Sequence, residues 1–313
     1  MTPFAIAGVQ MYVNALHSNV DGMIHRLDIL MARFPWTQMV LFSELAPYGP
    51  LDRFALPPEN ETIEKFQEAA RKHRVWLIPG SMFLKHTEFC VFDVPDVGRF
   101  GLSICYDIWF PETTRQLTSQ GVEVLLHPVL TGTTDRDAEL AIARATAAQF
   151  QCYIFDVNGL GAGGVGKSCV VDPTSMVLHQ SAGQEDMFPI EIDLNMVRRQ
   201  RETGMKGLGQ VLKSFRDRST DFSVYDRSSG TDAYLKTLGP LEIPHQGTRA
   251  GLHVDVPAQS VPEVLAYKGM DIVEPFAPEP LPNPTAGTAA VGVAPAQPVK
   301  PGVLTGTEET SSG

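Results

Sequence analysis

Little in this sequence points toward a membrane, a nucleic acid or an oxidising compartment. Its four cysteines, Cys90, Cys105, Cys152 and Cys169, lie far apart and form no CxxC pair, so neither a disulfide framework nor a zinc-ribbon spacing is present. No apolar run approaches the ~20 residues that a membrane-spanning helix needs, and the segment Met1–Gln10 lacks a positively charged leader. Basic residues are scarce as well: 25 Lys and Arg stand against 36 Asp and Glu, for a formal charge of −11. Without a basic tract there is no electrostatic footprint for nucleic acid or anionic lipid. These absences lead to the expectation of a soluble, cytoplasmic protein with reduced thiols, no nucleic-acid partner and no membrane partner.

What the chain does contain is 43% apolar residues in 313, enough for one large domain with an appendage or for two modest ones. Phe4–Gln10, Thr37–Ser43 and Val75–Gly80 are short apolar runs, and helical periodicity follows the first two, which predicts a βαβαβ opening. The first helix is expected to begin at Ser18, with Asp21 completing a capping-box-like pair and Val20, Met23, Leu27 and Met31 on one stripe. Asn60 is the expected cap of the second, with Ile63, Phe66 and Ala70 inward and Arg71, Lys72 and His73 at the negative end of the dipole. Glu88–Pro95 and Arg99–Cys105 flank Asp96-Val97-Gly98 as a hairpin. Helix, strand, helix and strand then follow at Phe110–Gln120, Val122–Pro128, Asp135–Gln149 and Cys152–Val157. Strands at Val165–Asp172 and Met187–Asp193 and a short basic helix at Val197–Arg201 complete the pattern. Residues 1–223 thus read as one α/β unit, 224–274 as a loose C-terminal extension, and 275–313, with eight prolines, as a disordered tail.

Three segments carry candidate chemistry. Gly161–Ser168 matches the phosphate-loop pattern GxxxxGK[ST], yet Cys169-Val-Val-Asp-Pro173 reads as a strand where that pattern needs a helix, which argues against a nucleotide. Cys105, His127 and Asn158 or Asp156 occur in an order open to a papain-like nucleophile, base and orienting group. His127, however, closes an apolar strand before Pro128, where histidines are commonly structural. The third constellation joins Leu41-Phe-Ser-Glu44-Leu-Ala-Pro-Tyr-Gly49 to Gly101-Leu-Ser-Ile-Cys105-Tyr-Asp-Ile-Trp-Phe-Pro-Glu112. Both Glu44 and Cys105 fall at the C-terminal edge of an apolar strand, where α/β proteins build their sites. A thiol at such an elbow presents its sulfur, the following amides can meet an oxyanion, and a buried carboxylate can take the thiol proton. The bland alternative is an ion-paired surface Glu44 beside an inert core Cys105.

With Asn158-Gly159, Gly166-Lys-Ser168 and Asp172-Pro173, these two segments resemble the nitrilase, or carbon–nitrogen hydrolase, superfamily over roughly residues 4–200. The resemblance implies an α-β-β-α sandwich whose subunits pair into a homodimer or a larger homo-oligomer. It further implies that Cys105 is the nucleophile of a thioester acyl-enzyme and Glu44 the general base. The Tyr106 amide would donate to the oxyanion, with Asp107 and Trp109 beside the substrate. No cofactor and no metal is implied. Cys-Tyr-Asp is closer to the amidase branches than to the Cys-Trp-Glu of true nitrilases, so a small amide is the expected substrate ahead of a nitrile.

One part of the family pattern is missing. Its third catalytic residue is a lysine on a segment well before the cysteine, and here only 24 residues, Ser81–Ile104, precede Cys105 after the third strand. The hairpin fills most of that space, the second glutamate of many relatives is absent too, and Lys85 is the one lysine left. Three readings follow: a catalytically inactive assembly or binding module, a truncated gene product, or a rearranged site in which Lys85 substitutes. Hydrolysis is expected to be weak and to depend on Cys105 and Glu44 more than on Lys85.

Overall fold

The computed structural model describes residues 2–50, 60–81, 88–226 and 233–239. Lys85, most of the expected extension and the whole expected tail lie outside the described residues. The chain divides between Asp217 and Arg218 into two units. In the second, a 3-10 turn at Ser223–Tyr225 and a short helix at Ala233–Lys236 are described, with Tyr225 edge-on to Phe222.

The first unit opens as the apolar runs dictate. Strand β1 (Pro3–Gln10) and the short β2 (Tyr12–Val13) lead to helix α1 (Val20–Arg33), followed by β3 (Met39–Phe42), α2 (Glu61–His73) and β4 (Trp76–Ile78). Helix α1 begins two residues later than Ser18. The Asn19 side chain at its cap accepts instead from the Asn14 amide at 3.0 Å, and Ser18 Oγ accepts from Val20 N at 3.3 Å. Leu30 joins Val20, Met23 and Leu27 in the buried stripe, while Met31 is half-buried. Helix α2 starts as expected: Asn60 Oδ1 accepts from the amides of Thr62 and Ile63 at 2.9 and 3.1 Å, quenching two donors that the helix leaves unpaired.

The hairpin follows as β5 (Val91–Val94) and β6 (Gly98–Leu102), turned by Asp96 at φ 61°. Helix α3 (Pro111–Ser119), β7 (Val124–Val129), α4 (Asp135–Phe150), β8 (Tyr153–Asn158) and the short β9 (Leu160–Gly161) come next. Strand β10 (Cys169–Val171) is shorter than expected and is paired by an unanticipated β11 (Val177–Gln180). Strand β12 (Asp186–Asp193), α5 (Leu194–Thr203) and α6 (Val211–Arg216) close the unit.

Two sheets result, in the orders β12-β1-β3-β4 and β11-β10-β8-β7-β6-β5, beside a minor β2-β9 pair. Phe4, Ile6, Met39, Leu41 and Ile78 of the first sheet share one buried cluster with Phe100, Val124, Leu126 and Phe155 of the second, so the sheets lie face to face. The outer face of the first packs on α1 and α2 through Val9, Val40, Phe42, Leu27 and Phe66. That of the second packs on α3 and α4 through Leu125, Ile154, Leu117, Ala143 and Phe150. The architecture is therefore the expected α-β-β-α sandwich, and the central strands β3, β7 and β8 are continuously buried because they are covered on both faces.

The glycine-rich Gly161–Ser168 stretch leads into β10 rather than a helix. Gly164 in it serves backbone packing: a Cβ there would lie 2.1 Å from the Gly159 carbonyl oxygen. Among the described residues no helix is long and apolar enough to cross a membrane.

Candidate active site

Strand β3 ends one residue before buried Ser43, and Glu44 follows; β6 ends two residues before Ile104, and Cys105 follows. Parallel pairing of β3 with β1 and β4, and of β6 with β7, places these strand ends among C-terminal sheet edges. The two edges meet, because the Glu44 amide donates across the sandwich to the Val129 carbonyl at the end of β7, at 3.2 Å.

Cys105 opens a 3-10 turn, Cys105–Trp109, with φ 48°. That left-handed backbone costs a non-glycine residue of order 1–3 kcal/mol. The turn is held by Asp107, whose carboxylate accepts from the Ile104 amide at 2.9 Å. Asp107, expected beside the substrate, therefore caps the Cys105 turn. The Tyr106 amide lies in the first turn of this helix, where N–H groups have no partner within the helix. Its ring is 65% exposed and stands edge-on to Phe110 at 5.2 Å.

The Cys105 thiol is hydrogen-bonded to the Glu44 carboxylate, and the Leu130 amide donates to both. Burial raises Glu44 above the ordinary carboxylate range, reinforced by the charges of Asp107 and Glu139 and opposed by the thiol and amide hydrogen bonds. Burial and then the Glu44 charge push Cys105 up to about 12. The resting sulfur is thus a neutral thiol donating to Glu44. His127 is fully buried, with Nδ1–H donating to the Ser103 carbonyl at 2.7 Å and its basicity depressed by burial. Asn158 clamps the Thr131 backbone at 3.0 Å and the Gly166 carbonyl at 2.8 Å. The structure thus pairs Cys105 with Glu44, and not with His127.

Sequence reasoning missed a buried charge cluster beside this pair. Arg136 on α4, 1% exposed, makes a bidentate pair with Asp156 on β8 (Nη2 to Oδ1 2.5 Å, Nη1 to Oδ2 3.2 Å). It also reaches Glu139 Oε2 at 3.1 Å and the carbonyls of Gly166 and Lys167. Glu139 Oε1 accepts from Thr131 Oγ1 at 3.0 Å and, at a longer 3.5 Å, from Trp109 Nε1. The available signal was Asp156, a lone charge inside an otherwise apolar strand. Among the described residues no group of three or more His, Cys, Asp or Glu could hold a metal ion.

Residues 81–202 match the carbon-nitrogen hydrolase family model. The nitrilase and fragile histidine triad fusion protein NitFhit of Caenorhabditis elegans is 30% identical over 204 residues, covering 47% of this chain and 46% of the relative. Those 204 aligned positions draw on only 47% of this chain, so the relative holds stretches with no counterpart here. Human deaminated glutathione amidase is 33% identical over 110 residues, covering 33% of this chain and 34% of the relative. The chain thus spans half or less of the length of these curated relatives. A crystal structure of a carbon-nitrogen hydrolase from Helicobacter pylori superposes with a TM-score of 0.59 at 20% identity, covering 72% of this chain and 98% of that one. Residues 81–202 are thus similar to carbon–nitrogen hydrolases, and the chain has the fold of solved nitrilase-superfamily structures.

Proposed function

We propose that the protein hydrolyses the carbon–nitrogen bond of a small amide through a thioester on Cys105. The observation that carries this reading is the half-buried Glu44–Cys105 hydrogen bond at a left-handed turn on the C-terminal edge of a sheet. Glu44 takes the thiol proton as sulfur attacks the carbonyl carbon. The tetrahedral oxyanion meets the Tyr106 amide, Glu44 returns the proton to the departing nitrogen, and ammonia leaves. Water then attacks the thioester with Glu44 again as base, releasing the carboxylic acid and restoring the thiol. Amidase relatives favour an amide over a nitrile as substrate. The proposal extends to a cytoplasmic homodimer or larger homo-oligomer.

Turnover is proposed to be weak, because the short link between β4 and Cys105 leaves Lys85 as its one lysine. Losing one oxyanion donor typically costs about 10²–10³ in turnover. The competing reading, a module that keeps the fold without turnover, is favoured by the same short link.

Ammonia release from a panel of small amides and nitriles separates the two. Glu44 must be ionised to act, so the rate is expected to fall as pH drops, on a limb displaced upward from the ordinary carboxylate range by burial. Glu44→Gln is expected to lose nearly all activity, while Lys85→Ala changes it less than tenfold, as follows if no lysine stands beside the oxyanion. A hundredfold fall in Lys85→Ala would show a rearranged site that recruits Lys85.

The same burial has a thermodynamic sign. Glu44 has a raised pKa in the folded state, so the stability linked to it is present at low pH and is lost as pH rises through that raised value. Glu44→Gln is therefore expected to raise Tm near neutral pH, by about 2–4 °C for each kcal/mol released in a unit of this size. A lowered Tm measured by calorimetry would count against an ionised, half-buried Glu44.

A further inference from the structure

Glu139 lies on α4 and is 2% exposed, yet its carboxylate joins two other segments to its own helix. One oxygen accepts from Trp109, which ends the turn begun by Cys105, and from Thr131, the neighbour of Leu130. The other oxygen is gripped by Arg136, itself fixed by Asp156 on β8 and by two carbonyls of the glycine-rich loop. A buried carboxylate is expensive to desolvate and is tolerated only when it is paired and hydrogen-bonded, as this one is.

We propose that Glu139 is a positioning residue of this site, joining the turn that carries the nucleophile to the loop whose Leu130 amide faces Glu44 and Cys105. The inference rests on reading Glu44 and Cys105 as the reacting pair. Through Trp109 it sets the height of the Cys105 turn; through Thr131 it sets the Leu130 amide that donates to both members of the pair. Its charge acts as well. The groups facing Glu44 are Cys105 and Asp107 from the turn, the Leu130 amide from the loop after β7, and Glu139 from α4; those facing Cys105 are Glu44, the same amide and Glu139. Removing the Glu139 charge therefore makes both Glu44 and Cys105 easier to ionise.

Glu139→Gln and Glu139→Ala test this in the full chain, with kcat and KM for ammonia release and the rate of Cys105 alkylation by iodoacetamide, read by mass spectrometry. Glutamine keeps the acceptor for Thr131 and Trp109 but loses the charge. It is expected to retain kcat within about tenfold and KM unchanged, to move the acidic limb to lower pH, and to alkylate Cys105 faster at pH 9. Alanine frees both donors, and a misplacement of order 1 Å costs about a hundredfold, so kcat is expected to fall about that far with Trp109 emission shifted to the red. If Glu139→Ala fails to fold, judged by circular dichroism, Thr131→Val breaks one arm alone and is expected to lower kcat with the pH limb unmoved. Equal losses in the glutamine and alanine variants, or a glutamine variant with an unmoved limb and unchanged alkylation, would overturn the proposal. A wild type that releases no ammonia fails the amide reading, and the alkylation rate still decides the role of Glu139.

Discussion

Cys105→Ala is expected to abolish ammonia release, with a loss of about 10⁴-fold or more, as removal of a nucleophile from a coupled set does. Other groups at this edge cannot substitute. The Glu44 carboxylate is arranged to accept the Cys105 proton, and the remaining described thiols sit elsewhere, with Cys152 and Cys169 buried beneath the helices of the second sheet. Alanine at φ 48° keeps the backbone strain, so its Tm is expected to stay close to that of the wild type. Cys105→Gly removes the strain along with the sulfur and is expected to gain about 1 kcal/mol, a rise of about 2–4 °C. Calorimetry on the two variants, beside the ammonia assay, separates chemistry from conformation. Residual turnover in Cys105→Ala within a hundredfold of the wild type would exclude the thioester route.

Arg136→Met is expected to be the most destabilising single change in the described core. It leaves Glu139 and Asp156, both buried, without their shared cation and strips the Gly166 and Lys167 carbonyls of a donor. Breaking a buried pair in this way typically costs about 3–5 kcal/mol, which at about 2–4 °C per kcal/mol lowers Tm by roughly 6–20 °C. Replacing all three charges together, with Asp156→Leu and Glu139→Leu added, is expected to recover much of that loss, since well-packed apolar residues replace buried ion clusters at little cost. The same triple variant is expected to lose activity because the Trp109 and Thr131 tethers are gone. A single Arg136→Met variant with an unchanged Tm would show that Glu139 and Asp156 protonate or find other partners.

Local patterns were legible where the chemistry is local. The Asn60 cap, the Asp96 turn and the apolar stripe of α2 need only neighbours a few residues away, and they occur where the sequence places them. Ser18 misled because the start of α1 is fixed in part by a distant partner: Asn19 donates to the Pro47 carbonyl while Asn14 folds back onto its side chain. Strand β11 alternates half-buried and exposed residues and depends on β10 for its pairing, so its own hydrophobic signal is weak. At the site, Glu44 and Cys105 were visible as strand-end residues. Their hydrogen bond was not, for it joins positions 61 residues apart on different sheets. The Arg136 cluster was hidden for the opposite reason, since charges on an Ala-rich helix ordinarily face water, and only the depth of Asp156 within β8 betrays where they point.

The pair proposed to react also works as a caliper. Glu44 hangs from one sheet and Cys105 from the other, and the layer between them is filled by side chains such as Phe100, stacked on Phe92 at 5.7 Å and edge-on to Phe4 at 5.4 Å. Anything that lets the layers slide or splay lengthens the Glu44–Cys105 contact while helices and strands persist. Catalysis then reads the spacing of the sandwich, and gentle warming is expected to silence turnover below the temperature at which the secondary structure melts.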